Sequence, residues 1–314
     1  MIVTLTLNPS LDRTIEIPEL VRGEMVRAGE TRLDPGGKGV NVARALSAHK
    51  LPTCAVVPCG GPEGRQLTEL LEQEGIDVCA VPVSGHTRSN VSLVEPDGSV
   101  TKINEPGGVL APDDLERIMK AVLDTAATAD WVVASGSLPP GVPDRFYHAL
   151  GRRLTERGIR LAVDTSGPAL AAALGARPAL VKPNREELAE FAGFPIDSIA
   201  DVVRATTAMR EAGAGTVLAS LGADGAVLAG GEGDEGVRHG ESSVDRGRST
   251  VGAGDAMLAG YLAGGVTGGD AFIEALSWGT AAVRLPGSRM PGPGDVDRAA
   301  VRVHASVDLS RALW

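Results

Sequence analysis

The chain has 314 residues, of which 43% are hydrophobic and 22% charged, and its formal net charge is −10. These values fit a soluble globular protein with a substantial core, built as one large α/β domain or two ordinary ones. The acidic balance and the scatter of basic residues argue against a nucleic-acid or membrane-surface binder, but leave room for a cleft where a few cations face an anionic small substrate.

Aromatic residues make up only 3%, so the core must be aliphatic, and only five of the basic residues are lysines. Cys54, Cys59 and Cys79 have no CxxC spacing and no His cluster, which predicts free thiols in a reducing cytoplasm rather than a zinc site. The sequence opens on MIVTLTLNP, without a basic leader, and has no apolar run of about 18 residues that could span a membrane. A cytoplasmic protein is expected.

In chain order, Ile2–Leu7 reads as a strand ended by Asn8-Pro9, with Asp12 just beyond it. Thr14–Ile17 and Glu24–Leu33 are mixed-polarity strand candidates closed by Asp34-Pro35. Gly36, Gly37 and Gly39 then flank Lys38, and a helix with Asn41 in its first turn follows. Ala55–Val57, Glu63–Glu74 and Val78–Val83 read strand, helix, strand. Asn90–Glu95 and Val100–Asn104 bracket Pro96-Asp97-Gly98, a hairpin signal.

The second half alternates more regularly. Strands are expected at Trp131–Ala134, Leu161–Val163, Leu180–Val181, Thr216–Ala219 and Ala226–Leu228. Helices are expected near Arg145–Arg157, Ala169–Leu174, after KPNREEL and near Ala200–Glu211, and GGEGDEG reads as a solvated hairpin loop. Alternation of this kind means a doubly wound, mostly parallel sheet with ligand groups at the strand C-termini. The β pieces at about 13–34 and 86–106 are expected to form one small, discontinuous subdomain on a single-domain α/β protein.

The chemistry centres on Ser249–Tyr261, STVGAGDAMLAGY. Gly252, Ala253 and Gly254 permit a tight turn into an apolar helix, whose first N–H groups attract an anion. Asp255 in that mouth suits proton abstraction from a hydroxyl attacking a phosphoryl group, or serves as an ordinary helix-start acid. There is no Walker A sequence, and GAGDAM lacks the third Gly of a dinucleotide fingerprint. Lys38 lies where a substrate can approach closely, and Arg88 opens a small-sheet strand where a guanidinium can clamp a phosphate. Asp164 ends a buried-type strand. Asn184 and Glu187, one helical turn apart, suit a hydrated Mg²⁺ and a helix cap equally well.

Taken together, NPSLD, GGKGVNVARAL, SGSLPPG, LVKPNREEL, SLGADGA and STVGAGDAMLAGY resemble the ribokinase/PfkB family of sugar kinases, in its order and over nearly the whole chain. The resemblance implies a ribokinase-like core with a β-sheet lid and phosphoryl transfer from MgATP to a sugar hydroxyl. It implies Asp255 as base and the Gly252–Gly254 backbone as anion hole. Asn184 and Glu187 would hold Mg²⁺, with Asp164 contributing through water. Lys182, Ser220, Gly222, Gly225 and Gly279 would lie along the nucleotide. Asp12, Gly36, Gly37, Asn41, Asn90, Asn104 and Ser137 would bind the sugar.

Within the family, NPSLDRT, GGKGVNVAR, Thr87-Arg88-Ser89-Asn90 and Asn104-Glu105-Pro106-Gly107 resemble the branch acting on phosphorylated ketohexoses. Lys38, Arg88 and Arg27 would then face a sugar phosphate, with fructose 1-phosphate ahead of tagatose 6-phosphate and fructose 6-phosphate. Ala256, where this group often has Ser, is the one departure. A nucleoside or ribose kinase and a non-catalytic sugar-phosphate binder are the alternatives. A homodimer through the lid is the partner the family suggests.

Overall fold

The computed structural model describes residues 1–230, 236–243, 247 and 249–314. The first half runs β1 (Ile2–Thr6), β2 (Ser10–Glu16), β3 (Thr31–Gly36), α1 (Lys38–Ala48), β4 (Thr53–Cys59), α2 (Gly61–Gln73), β5 (Asp77–Pro82), β6 (Arg88–Val94), β7 (Val100–Asn104) and α3 (Pro112–Thr125). The middle runs β8 (Trp131–Ser135), α4 (Phe146–Thr155), β9 (Arg160–Asp164), α5 (Gly167–Leu174), β10 (Leu180–Val181), α6 (Arg185–Ala192), α7 (Ile199–Glu211) and β11 (Thr216–Ser220). The chain closes with β12 (Ala226–Ala229), β13 (Val237–Ser242), α8 (Ala253–Thr267), α9 (Ala271–Val283) and β14 (Val301–Val303).

The large sheet has the order β14-β13-β12-β11-β10-β9-β8-β1-β4-β5. Its strands are parallel from β11 to β5, and β12, β13 and β14 extend it antiparallel. Both faces are apolar because alternate residues of each strand meet a different helical layer. Val3, Leu5, Val132, Ala134, Val163 and Val217 pack with α3, α4, α5, α6 and α7. Ile2, Val133, Ala162, Leu180 and Leu218 pack with α1, α8 and α9. Helix α8 is apolar nearly all round, as a helix enclosed by sheet and α9 must be. The doubly wound α/β architecture read from the alternation is therefore the observed one.

The small sheet has the order β3-β2-β6-β7 and stands apart from the large one. Its register puts Asp34, Asp12, Asn90 and Asn104 in a single row across all four strands. Residues directly opposite one another share a face, so this face is polar. The other carries Leu33, Arg13, Val91 and Ile103 in the adjacent row.

Several elements differ from the sequence reading. Strand β2 begins at Ser10, so Asp12 lies within the small sheet rather than just past the first strand of the large one. Residues 24–30 are not strand, and β3 continues through Asp34-Pro35 to Gly36. Pro35 is tolerated because β3 is an edge strand. Helices α3 and α9 were not among the expected elements, although Pro112 at the start of α3 and the Asp270 cap of α9 are both local signals. Most of the expected GGEGDEG turn lies outside the described residues.

Candidate active site

The C-terminal ends of the parallel strands gather the polar residues, as this topology requires. Asp164 ends β9 and is fully buried, Lys182 follows β10, and Ser220 ends β11. Asn184 and Ser220 are bridged in parallel just beyond the sheet. The starts of α1 and α8 point into the same region: Asn41 Nδ2 donates to Asp255 Oδ2 at 2.8 Å although 214 residues separate them.

The turn into α8 is built as the GAGD motif suggests. Gly252 is the N-cap with φ 76°, a left-handed conformation that glycine adopts without Cβ strain. The first helical hydrogen bond is donated by Ala256 to the Gly252 carbonyl, so the N–H groups of Gly254 and Asp255 belong to the orphan set at a helix start. Lys182 comes so close that a Cβ on Gly254 would lie 3.2 Å from its Nζ. An N–H cradle, a carboxylate and an ammonium thus share one spot.

Electrostatics separate the carboxylates. Burial, and then the charge of Asp164, push the Asp255 pKa up to about 6, against the opposing Asn41 hydrogen bond and the lysines. Burial also disfavours ionisation of Asp164, but Lys182 and Lys38 outweigh it and hold that carboxyl below the ordinary range. Two neighbouring acids with pKa values driven in opposite directions are what acid–base work at neutral pH needs.

Lys38 faces two carboxylates. Its Nζ donates to Asp164 Oδ1 at 2.7 Å and to Glu187 Oε1 at 3.0 Å. Burial opposes its charge, but Asp164 and Glu187 overcome that and raise its pKa. Lys182 Nζ lies 3.1 Å from Asp164 Oδ2.

Asn184 and Glu187 form a full capping box. Asn184 Oδ1 accepts from the Glu187 N–H at 2.7 Å, and Glu187 Oε2 accepts from the Asn184 N–H at 2.9 Å. The box uses one Glu187 oxygen and leaves Oε1 for a cation, so the cap and the cation site coexist.

The small sheet supplies a second polar group. Asp12 Oδ1 accepts from Ser10 Oγ at 2.7 Å and from Asn90 Nδ2 at 2.9 Å. A Cβ at Gly36 would strike the Asp12 carboxylate, so only glycine allows this approach. Gly37 is the N-cap of α1, and Asn104 is exposed at the end of β7. Arg88 donates to the Asn8 carbonyl at 3.0 Å and the Glu105 carbonyl at 3.1 Å. Its pKa is pulled down by burial, with Asp12 and Glu105 opposing.

Asn8 was not singled out from the sequence, although it stands in NPSLD. Its Nδ2 donates to the Pro106 carbonyl at 3.1 Å and to Ser137 Oγ at 3.3 Å, joining β1, the segment after β7 and SGSLPPG. Arg27 is exposed in the connection between β2 and β3, and is not brought to this group.

The nucleotide-side residues divide. Ser220, Gly222 and Gly225 lie at the end of β11 and in the turn that follows, beside Lys182 and Asn184. Gly279 is buried within α9, where a Cβ would lie 3.2 Å from Met257 Cβ and 3.4 Å from the Ala253 carbonyl. It seats α9 against the first turn of α8.

Among the described residues, buried polar atoms without a hydrogen-bond partner include Asn41 Oδ1, Arg88 Nε and Asn90 Oδ1. Native proteins leave few such atoms, and three from expected site residues mark a cleft shaped for a ligand.

Comparison with known proteins agrees with this geometry. Residues 5–284 match the pfkB family of carbohydrate kinases. The chain belongs to that family. Among curated relatives of this pfkB kinase, the 1-phosphofructokinase of Rhodobacter capsulatus is 38% identical over 265 residues, covering 83% of this chain and 82% of its own. The 1-phosphofructokinase of Escherichia coli K12 is 39% identical over 267 residues, covering 84% and 83%. A crystal structure of phosphofructokinase-2 from Escherichia coli with substrates and products superposes with a TM-score of 0.87 at 32% identity, covering 94% of this chain and 96% of its own. The kinase class and the fold expected from the motifs are therefore those of the protein. No helix among the described residues is long and apolar enough to cross a membrane.

Proposed function

We propose that this pfkB kinase transfers the γ-phosphoryl group of ATP to a phosphorylated ketohexose, with fructose 1-phosphate preferred and fructose 1,6-bisphosphate the product. The observation that carries the reading is the buried Asp255 carboxylate at the α8 N-terminus, hydrogen-bonded to Asn41 and raised to a pKa of about 6. Asp255 takes the proton of the attacking sugar hydroxyl while the new O–P bond forms and ADP departs. The first N–H groups of α8 and Lys182 face the charge that develops on the transferred group. Asp12 and Asn90 orient the sugar from the small sheet. Arg88 supplies charge for the phosphate the sugar already carries, and the relatives' activity on fructose 1-phosphate, as their name states it, favours that substrate.

Mg²⁺ fits the donor set. Asp164 Oδ1 and Glu187 Oε1 already converge on one cation, the Lys38 ammonium. Among the described residues no three acidic, His or Cys side chains form a cage. That is the pattern of a metal held by one or two carboxylates together with substrate phosphates and water. When bound there, Mg²⁺ would neutralise the phosphates of ATP; Asn184 supports it by holding Glu187, since its own Oδ1 is committed to the cap.

The small sheet acts as the lid that excludes water from the cleft. Its polar face turns inward, since a Cβ on Gly287 of the core would strike Arg32 of that face. On its other face Leu33 packs against the chain's own cluster of Leu11, Val40 and Leu67, while half-buried Val91 and Leu93 and exposed Ile103 fit a second copy docking lid to lid. The three unpaired cysteines fit a cytoplasmic setting.

The test is ADP release with MgATP against fructose 1-phosphate, tagatose 6-phosphate, fructose 6-phosphate and ribose, with Asp255→Asn alongside. A lead for fructose 1-phosphate of at least about tenfold in kcat/KM, equivalent to about 1.4 kcal/mol, supports the reading. A lead for another ketohexose phosphate moves the substrate. No turnover with measurable sugar-phosphate binding would make the protein a binder.

A further inference from the structure

We infer that the Lys38 ammonium is an internal counter-cation of the divalent-metal site, and that it must leave before a metal ion can enter. The inference rests on the cation site proposed above, and its link to substrate rests on the sugar-phosphate reading.

The geometry is specific. Lys38 Nζ sits between Asp164 Oδ1 and Glu187 Oε1, at 2.7 and 3.0 Å. The other oxygen of each carboxylate is already engaged, Asp164 Oδ2 by Lys182 at 3.1 Å and Glu187 Oε2 by the capping box. The two oxygens a metal would use are therefore the two that Lys38 holds. An ammonium and a divalent cation cannot share that space, and their charges repel.

Lys38 can move. It is the first residue of α1, directly after Gly37, and its side chain is 35% exposed, whereas Lys182 is enclosed at 4%. The direction of movement is set by charge. Among the described residues Arg88 hydrogen-bonds only to backbone carbonyls and has a buried Nε without a partner, so an anion beside it would compete with the carboxylates for the Lys38 ammonium. A phosphate there would draw Lys38 away and free the carboxylate pair. Sugar phosphate and metal would then bind with positive coupling, and by linkage each would tighten the other by the same factor.

The measurement is Mn²⁺ binding to the nucleotide-free protein, followed by electron paramagnetic resonance at low ionic strength. Lys38→Met, which keeps the length of the stem without the charge, should bind Mn²⁺ at least tenfold more tightly than wild type. Lys38→Arg, which keeps the charge, should stay near wild type, and Glu187→Gln should bind more weakly than either. Equal or weaker Mn²⁺ binding by Lys38→Met, in protein with the circular dichroism spectrum of the wild type, overturns the inference. If that variant does not fold, Lys38→Gln is measured against the same criterion.

Fructose 1-phosphate is then titrated into wild type, with Glu187→Gln correcting for Mn²⁺ held by the sugar phosphate itself. A rise in Mn²⁺ affinity supports the exchange, and an unchanged affinity overturns it. Turnover of fructose 1-phosphate by the same preparation reports separately on the substrate reading.

Discussion

Replacing Asp255 by Asn should remove activity and raise stability at once. The native carboxyl has a pKa of about 6 against 3.8 for the ordinary group, a gap of about 2 units. At roughly 1.4 kcal/mol per unit, the ionised form costs the fold about 3 kcal/mol. The sign follows from where the proton sits. Between the two values the native state holds a proton that the unfolded chain has released, so this group's contribution to stability falls as pH rises through that window and levels off above it. Asn carries no charge and can still accept from Asn41 Nδ2, so Asp255→Asn escapes that loss.

Urea unfolding of both proteins, followed by circular dichroism from about pH 5 to pH 8, should show the variant's advantage widening and then reaching a plateau near 3 kcal/mol. Its kcat should fall by about 10²–10⁴, the usual contribution of a general base. The wild-type kcat/KM for the sugar should decline below about pH 6, where the free enzyme's base takes up its proton. A variant that keeps more than about a tenth of wild-type kcat would refute the assignment of the base. A variant no more stable than wild type at neutral pH would refute the electrostatic account.

Other residues make separable predictions. Gly36→Ala should displace the Asp12 carboxylate and raise KM for the sugar, leaving KM for ATP near wild type; steady-state kinetics with each substrate varied checks this. Arg88→Ala should lower kcat/KM for a sugar phosphate by about 10- to 100-fold, the worth of a charge-assisted hydrogen bond of about 1.5–3 kcal/mol, while binding of ATP measured by calorimetry is unchanged. Glu274→Ala, far from the cleft, removes the acceptor of Trp278 Nε1 and of Arg298. It should destabilise by about 2–4 kcal/mol in chemical denaturation without altering KM for either substrate.

What the sequence by itself determined is the local physics. Alternating apolar strands, the Asn184 to Glu187 spacing, the Pro96-Asp97-Gly98 turn and the small residues before Asp255 each specify a backbone conformation within a few residues, and each is realised. The order of these motifs was enough to indicate the family and the chemistry. What only the tertiary structure decided is which ends meet. Asn41 and Asp255 are 214 residues apart, Lys38 and Asp164 126, and Asn8 reaches Ser137 across 129.

Register also decided the small sheet. Nothing local to Asp12 distinguishes the end of the first large-sheet strand from the second position of a row shared by Asp34, Asn90 and Asn104. Lys38 is the sharpest case. Its flanking glycines make it approachable, but the direction of a flexible four-carbon stem follows the strongest nearby field, and that field comes from carboxylates contributed by β9 and α6. Local pattern can mark such a residue as chemically active; only the fold can say which charges it faces.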